Sequence, residues 1–507
     1  MELSLKKYFP GLAARRIRAE TKLYHAEKTY EKVVQFHNHG AGTQNAMDYD
    51  DEINSADVDI GESKDILVAR SRDEFMGNAI ANGAVKRIRS NVIGTGIKLK
   101  ASIDNNILNL EQEKKEEIEK NIENLWRMWA GSTECDWGRQ SKLSHIQSLA
   151  ILTSLIDGEC FAALSFKLHP GELFGLKIRL LDPASCINPS DTGDKDIKNG
   201  VEKDKNGIIT AYHFKKNKEG SETTKIQVHG SKTGRKNLLV LMDKERIGQR
   251  RGVPLIAPVL EILHQMRKFT HAELMAATIN SYFTAFLENE TQKTKSQSPF
   301  KPKNGKDFKL KSGTFNHLAP GQKIVFPDSN RPNSGFTKFM DTMCVHLGAA
   351  LELSPEQLLL KFSNNYSASK GALLESWKML KTRRQWFTDD FMQPIYEEFL
   401  DYCVAMDYID LPGYEDPFKR KAYQKTQWFG QAPGSLDPLR EAKAAELRIK
   451  YNLTTGARES MEINGSDIDD NIEQRGREVK KMKKYGLINK GNSKKEKTKE
   501  GEEDELT

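Results

Sequence analysis

Apolar and polar positions change period several times along the chain, and each change marks an element. From Lys64 to Asn91 the apolar residues recur at helical spacing. The stretch VIGTGIKLKASI (92–103) then alternates like a strand, with Gly94 and Gly96 as its turn. Ile118, Ile122, Leu125 and Met128 restore the helical period over 111–130. Between 143 and 215 a helix gives way to short alternating strands, CFAALSF, LKIRLLD and IITAYHF, and DKNG (204–207) is a hairpin signal. LLVLM (238–242) adds one more buried strand, so the body reads as α+β and mostly helical.

The longest periodic stretch is 253–288. Pro254 opens it, and Leu255, Val259, Ile262, Met266, Phe269, Leu274, Ile279, Phe283 and Phe286 follow. One helix of that length would span about 50 Å at about 1.5 Å per residue. Residues 289–313 are polar, Lys-rich and broken by Pro and Gly, which predicts a projecting excursion. A second helix is predicted over 335–351, with Phe336, Met340, Met343 and Leu347 on one face and Lys338 and Asp341 opposite. KFSNNYSAS (361–369) interrupts the pattern. A long helix from Lys370 to Met406 then carries Trp377, Trp386 and Phe391, with a kink expected at Pro394. Asp437–Tyr451 is a further helix, and 480–507 has almost no core formers, so disorder is expected there.

Composition narrows the class. The 507 residues suffice for several cores, and the net charge of +7 (78 Lys+Arg against 71 Asp+Glu) permits nucleic-acid contact without demanding it. Residues 1–45 are basic and 48–65 acidic, which predicts a flexible leader. The five cysteines, Cys135, Cys160, Cys186, Cys344 and Cys403, are dispersed with no paired spacing. That fits a reducing compartment, with neither a disulfide framework nor a zinc site. No apolar run approaches the ~20 residues of a membrane span, and no signal peptide is expected, so the chain reads as cytosolic when made.

Candidate chemistry is sparse. GSKTGRK (230–236) has the wrong glycine spacing for a phosphate-cradling loop and reads as a hairpin. His37-Asn38-His39 lacks the strands and ligands of a metal nuclease. Asp157 and Glu159 are a candidate Mg²⁺ pair, with the plainer reading that Gly158 caps a helix beside a buried Glu. Trp126, Trp129 and Trp137 are candidate stacking platforms for bases, but Trp126 and Trp129, at helical spacing, read as core. No metal and no cofactor is expected.

Several blocks in one order resemble the portal family of lambda-type tailed phages. They include RSRDEFMGNAIANGAVKRIRSNVIGTGIKLKA (70–101), DGECFAAL (157–164), LLDPASCINP (180–189), RIGQRRGVPLIAPVLEIL (246–263), HAELMAATINSYFTAFL (271–287) and LELSPEQLLLKFSNNYSASKGALLE (351–375). The similarity runs over about 64–478. It implies a non-enzymatic subunit of a homo-dodecameric ring at one capsid vertex of the virion, assembled in the host cytoplasm, through which double-stranded DNA passes irrespective of sequence. The partners it implies are the terminase large subunit, head-completion or adaptor proteins, scaffold and major capsid protein, and no membrane.

On that resemblance 1–63 is an arm, 64–252 a wing and 253–288 the first stem helix. The clip is 289–332, the second stem helix 333–351 and the tunnel-loop region 352–369. A long wing helix and its following segment fill 370–435, crown-like helices 436–479 and a charged tail 480–507. Ser363, Asn364, Asn365, Tyr366 and Ser367 would face the duplex with hydroxyls and amides, and Lys370 would stand near the loop's base, where an Arg is common. Lys301, Lys303, Lys306, Lys309 and Lys311 would form part of the motor dock, and Phe336, Met340, Met343 and Leu347 would pack the stem. The rival readings are a metal-dependent DNA-processing enzyme using Asp157 and Glu159, and another head–tail connector.

Overall fold

The computed structural model describes residues 53–189, 197–216, 222–281, 286–289, 322–325, 335–361, 366–432, 438–466 and 468–487. Residues 1–59 form one unit, described only over 53–59, and 60–507 the other, which is the subject below. The fold is mostly helical with small open antiparallel sheets.

Two helices, α1 (Ala56–Gly77) and α2 (Ala79–Val92), stand where one was expected from Lys64, and α1 starts inside the predicted leader. Asn78 separates them. Its side chain accepts hydrogen bonds from the Ile80 and Ala81 amides and donates to Glu74, a capping role an Asn fills well. Gly94 and Gly96 then take φ of 60° and 114°. Such angles suit glycine, and they turn the chain into β1 (Lys98–Ala101). After a single turn, α3 (Asn105–Leu108), come α4 (Gln112–Gly131) and α5 (Leu143–Asp157). α5 buries Leu143, Ile146, Ala150, Ile151, Leu155 and Ile156, so it is apolar on more than one side and lies inside the core.

β2 (Glu159–Phe166), β3 (Leu176–Leu181) and β8 (Leu238–Met242) make one sheet, with β2 central. β4 (Ile197–Lys198), β5 (Val201–Lys203), β6 (Ile209–Lys215) and β7 (Thr223–Gln227) make a second, four-stranded one. The DKNG hairpin joins β5 to β6. Asp204 accepts from the Asn206 and Ile208 amides at 2.9 and 2.7 Å, and Gly207 takes φ 82°. Phe161 of the first sheet meets Tyr212 and Phe214 of the second at 5.1 Å each. GSKTGRK closes as a hairpin, with Gly230 and Arg235 bonded at 2.8 Å.

α6 spans Leu260–Ser281, shorter than the 253–288 helix the periodicity predicts. A 3₁₀ turn at Ala257–Val259 precedes it, and β9 (Phe286–Asn289) pairs antiparallel with β10 (Gln322–Val325) beyond it. The apolar run at 283–287 suits either period, and the strand partner decides between them. α7 is Phe336–Leu351 and α8 is Pro355–Leu359. α9 (Tyr366–Phe387) runs through a π turn (Thr388–Met392) into α10 (Gln393–Ala405). Pro394 has no N–H for the Asp390 carbonyl, so the widened turn directly ahead of it takes up the mismatch. α11 (Pro417–Tyr423) leads to β11 (Thr426–Phe429), which pairs with β1. α12 (Pro438–Lys450), α13 (Gly456–Asn464) and α14 (Ile468–Lys484) complete the described chain, so helix continues past position 480, where disorder was expected.

The main core gathers Trp126, Trp129, Tyr396 and Phe399. Trp126 and Trp129 lie 5.0 Å apart, and Phe399 sits 5.2 and 5.1 Å from them. Trp129 is wholly buried and donates from Nε1 to the Leu176 carbonyl at 3.1 Å. These two tryptophans are core, while Trp137 is exposed and has Lys167 and Arg179 over its ring. All five cysteines are free and buried, and burial pushes the Cys135 and Cys403 thiols up to about 12.

Candidate functional site

α6 and α7 meet through aromatic rings. Phe269 stacks on Phe336 at 5.5 Å and meets Phe339 edge-on at 4.8 Å. Along α7, Phe336, Met340 and Met343 are half-buried and Leu347 fully buried, with Cys344 and Leu351 beside it. Lys338 and Asp341 are exposed. Phe339 joins the seam although the periodicity assigns it to no stripe; its i+3 relation to Phe336 puts both rings within reach of Phe269. The pair also leaves Leu274, Met275 and Val345 at least half exposed. Lys301, Lys303, Lys306, Lys309 and Lys311 lie outside the described residues, between β9 and β10.

The chain leaves α7 by two sharp turns. Glu352 and Leu360 take φ of 56° and 52°, and each terminates a helix. Side chains other than glycine disfavour this region by about 1–2 kcal/mol. Surrounding bonds hold α8 in place: Ser354 caps the Gln357 amide at 3.2 Å, its own N–H donates to Ser376 at 3.2 Å, and the Arg87 guanidinium donates to the Leu358 carbonyl. Ser363, Asn364 and Asn365 lie outside the described residues, and the backbones of Tyr366 and Ser367 open α9. Lys370, one turn later, is half-buried.

Asp157 and Glu159 are held by cations. Gly158, at φ 85°, caps α5 and lets the chain turn under Gly252 and Val253, whose backbone atoms a Cβ would meet. Arg72 grips Asp157 through two hydrogen bonds of 2.8 and 2.7 Å and also reaches Asp182 at 2.6 Å. Glu159 is fully buried and takes Lys64 at 2.8 Å, Arg251 at 2.7 Å and the Gly252 amide at 2.8 Å. Arg251 further donates to the carbonyls of Pro183 at 3.0 Å, Cys186 at 3.1 Å and Asn199 at 2.5 Å. Burial holds the Lys64 ammonium below its ordinary pKa, against the pull of Glu159. Both carboxylates therefore serve as anchors that tie α1, β2 and the 249–252 segment together. Among the described residues no group of three or more His, Cys, Asp or Glu is placed to hold a metal ion. Sequence reading missed Lys64 and Arg251, since nothing in the local pattern pairs residues so far apart along the chain.

No helix among the described residues is long and apolar enough to cross a membrane. His37-Asn38-His39 lies outside those residues.

A family profile described as "Phage portal protein, lambda family" matches residues 43–384, which include α6, α7 and the segment between them. Portal protein B of Escherichia phage lambda is 20% identical over 454 residues, covering 83% of this chain and 84% of that protein. The portal protein of Escherichia phage N15 is 20% identical over 450 residues, with the same two coverages. Among solved structures, a chain from the virion of a native gene transfer agent particle aligns with a TM-score of 0.42 at 9% identity, covering 78% of this chain and 92% of that one. The profile spans well over half of the sequence, and the chain belongs to the lambda family of phage portal proteins.

Proposed function

We propose that the chain assembles into a dodecameric ring at one capsid vertex and that the ring is the passage for double-stranded DNA during packaging and ejection. The family match over 43–384 carries this reading. Two features of the chain support it. Leu274, Met275 and Val345 leave apolar surface in water on the two long helices, and a neighbouring subunit would cover it. A ring closes when one subunit offers two different complementary faces, and long helices side by side supply such faces.

In this reading α6 and α7 are the stem, residues 289–332 the clip and the segment around 363–367 the lining of the tunnel. Ser363, Asn364, Asn365, Tyr366 and Ser367 offer weak, sequence-blind phosphate contacts, which suit sliding better than a row of arginines that neutralises many phosphates at once. Lys370 stands at the base of that lining. The lysines at 301, 303, 306, 309 and 311 would receive the terminase large subunit, with head-completion, scaffold and major capsid proteins as the remaining partners. The work of translocation falls to the docked motor. The subunit itself acts as a structural part of the virion, not as an enzyme.

Microscopy and mass photometry of the purified full-length chain test the reading. Rings of about twelve subunits with a channel wide enough for duplex DNA are expected. A monomer that scaffold protein fails to assemble would overturn it.

A further inference from the structure

α14 has an apolar stripe that the described chain covers only in part. Ile468, Ile472, Val479 and Met482 recur at helical spacing; Ile468, Val479 and Met482 are half-buried, and Ile472 is 62% exposed. Ionic contacts attach the helix to α4 and β1: Glu473 reaches Lys120 at 2.6 Å and Asp469 reaches Lys100 at 3.2 Å. Both contacts use the acidic first half. The second half presents Lys480, Lys481 and Lys484 on one exposed face with Arg477. Arg477 pairs within the helix to Glu473 at 3.1 Å, and the three lysines have no carboxylate partner among the described residues.

A face of opposite charge opens α4, ahead of the Lys120 that Glu473 reaches. At the start of α4, Glu113, Glu116 and Glu117 share one side and are exposed, and none of them is ion-paired among the described residues. Ile107, 45% exposed, stands just before them. Tyr485 and Leu487, 71% and 77% exposed, stand just after the basic face. Each charged stretch thus has exposed apolar residues close to it in the sequence.

We propose that the basic end of α14 docks on the acidic start of α4 in a second copy of this chain. The inference rests on the ring reading above and assigns one contact of that ring. Two observations favour a second copy over nucleic acid. The charges of α14 run from acidic (Asp469, Asp470, Glu473) to basic, and phosphates would be repelled along its first half. The complementary acidic face is supplied by the chain itself, so one copy's α14 and the next copy's α4 form a head-to-tail contact, the kind that closes into a ring when the rotation allows. The opposed charges set the register, and the exposed apolar residues close to them add the non-directional part of the contact.

Charge exchange in the full-length chain tests this. Three variants are compared with the wild type by mass photometry at about 0.15 M salt, where exposed charges act over about 8 Å. They are K480E/K481E/K484E, E113K/E116K/E117K and the six-fold combination. Circular dichroism checks that each is folded. Each triple variant is expected to lower the ring fraction by about tenfold or more, because like charges then oppose one another, and the combination is expected to recover it. Triple variants that form rings as the wild type does would overturn this contact while leaving the ring reading intact. So would a six-fold variant that fails to recover, or a lysine triple that keeps its rings and loses only retention on duplex DNA. A wild-type chain that never forms rings would overturn the ring reading, and this contact with it.

Discussion

Trp129 in the body and Ile472 on α14 are both apolar residues at helical spacing, and they meet opposite fates. Trp129 is wholly buried against Trp126, Phe399 and the Leu176 carbonyl, whereas Ile472 is 62% exposed. The charges of the two regions differ in the same way. In the body, Lys64, Glu159 and Arg251 are buried and satisfy one another and nearby backbone. In the C-terminal helices, Lys120–Glu473, Lys381–Glu462 and Arg448–Glu459 are pairs with at least one partner in water. The body is organised by exclusion of water. The C-terminal helices leave Ile472 and the lysines at 480, 481 and 484 exposed and keep Ile468, Val479 and Met482 only half-buried, as a surface does that is completed by another molecule.

The body should therefore break under single substitutions that the C-terminal helices tolerate. Glu159→Ala leaves Lys64 and Arg251 buried without their counter-charge, and a loss of about 3–5 kcal/mol is expected in urea denaturation at neutral pH. Trp129→Ala removes the largest wholly buried side chain among the described residues and should cost about 3–5 kcal/mol, from lost burial and the cavity left behind. Arg384→Ala removes donors to the Val92, Asn91 and Gln431 carbonyls at 2.9, 2.6 and 2.8 Å. Those bonds hold the end of α2 and the strand exit after β11 to α9, and about 1.5–3 kcal/mol should be lost. A body that shrugged off Glu159→Ala would undo the comparison, since its ionic network would then resemble the exposed pairs.

The contrast between the regions was only partly legible in the sequence. Helical spacing located α4, α7 and α12 within a residue or two, because their apolar stripes repeat over several turns. The hairpin at 204–207 was legible because Asp and Gly there have a local mechanism. The end of α6 was not: Phe283 and Phe286 continue the helical period, and only pairing with Gln322–Val325 shows that 286–289 is strand. Gly158 read correctly as a cap. The clamp around Glu159 stayed hidden because Lys64 and Arg251 approach it only in three dimensions. The candidate lining at 363–365 and the lysines at 301–311 rest on the resemblance to the portal family, and both lie outside the described residues.

Acid gives the smallest and most selective test. Pairing with Arg448 holds the Glu459 carboxyl below its ordinary value of 4.5, and pairing with Lys120 and Arg477 does the same for Glu473. A carboxylate whose pKa is lowered on folding contributes stability that is complete above the unfolded value and is lost as pH falls through the folded one. Both contributions therefore fade below about pH 4.5 and are intact at pH 7. Solvent screens pairs as exposed as these, so the effect is a local loosening, not global unfolding. Burial acts the other way on Glu398, in the body, where it raises the carboxyl's pKa. That group disfavours folding while it is ionised and ceases to do so as acid neutralises it. Pepsin cleavage between pH 4 and pH 2 should accordingly begin within 438–487 while fragments of the body persist. Simultaneous cleavage of both regions would mean that the C-terminal helices share the body's cooperativity and are held by more than their ion pairs.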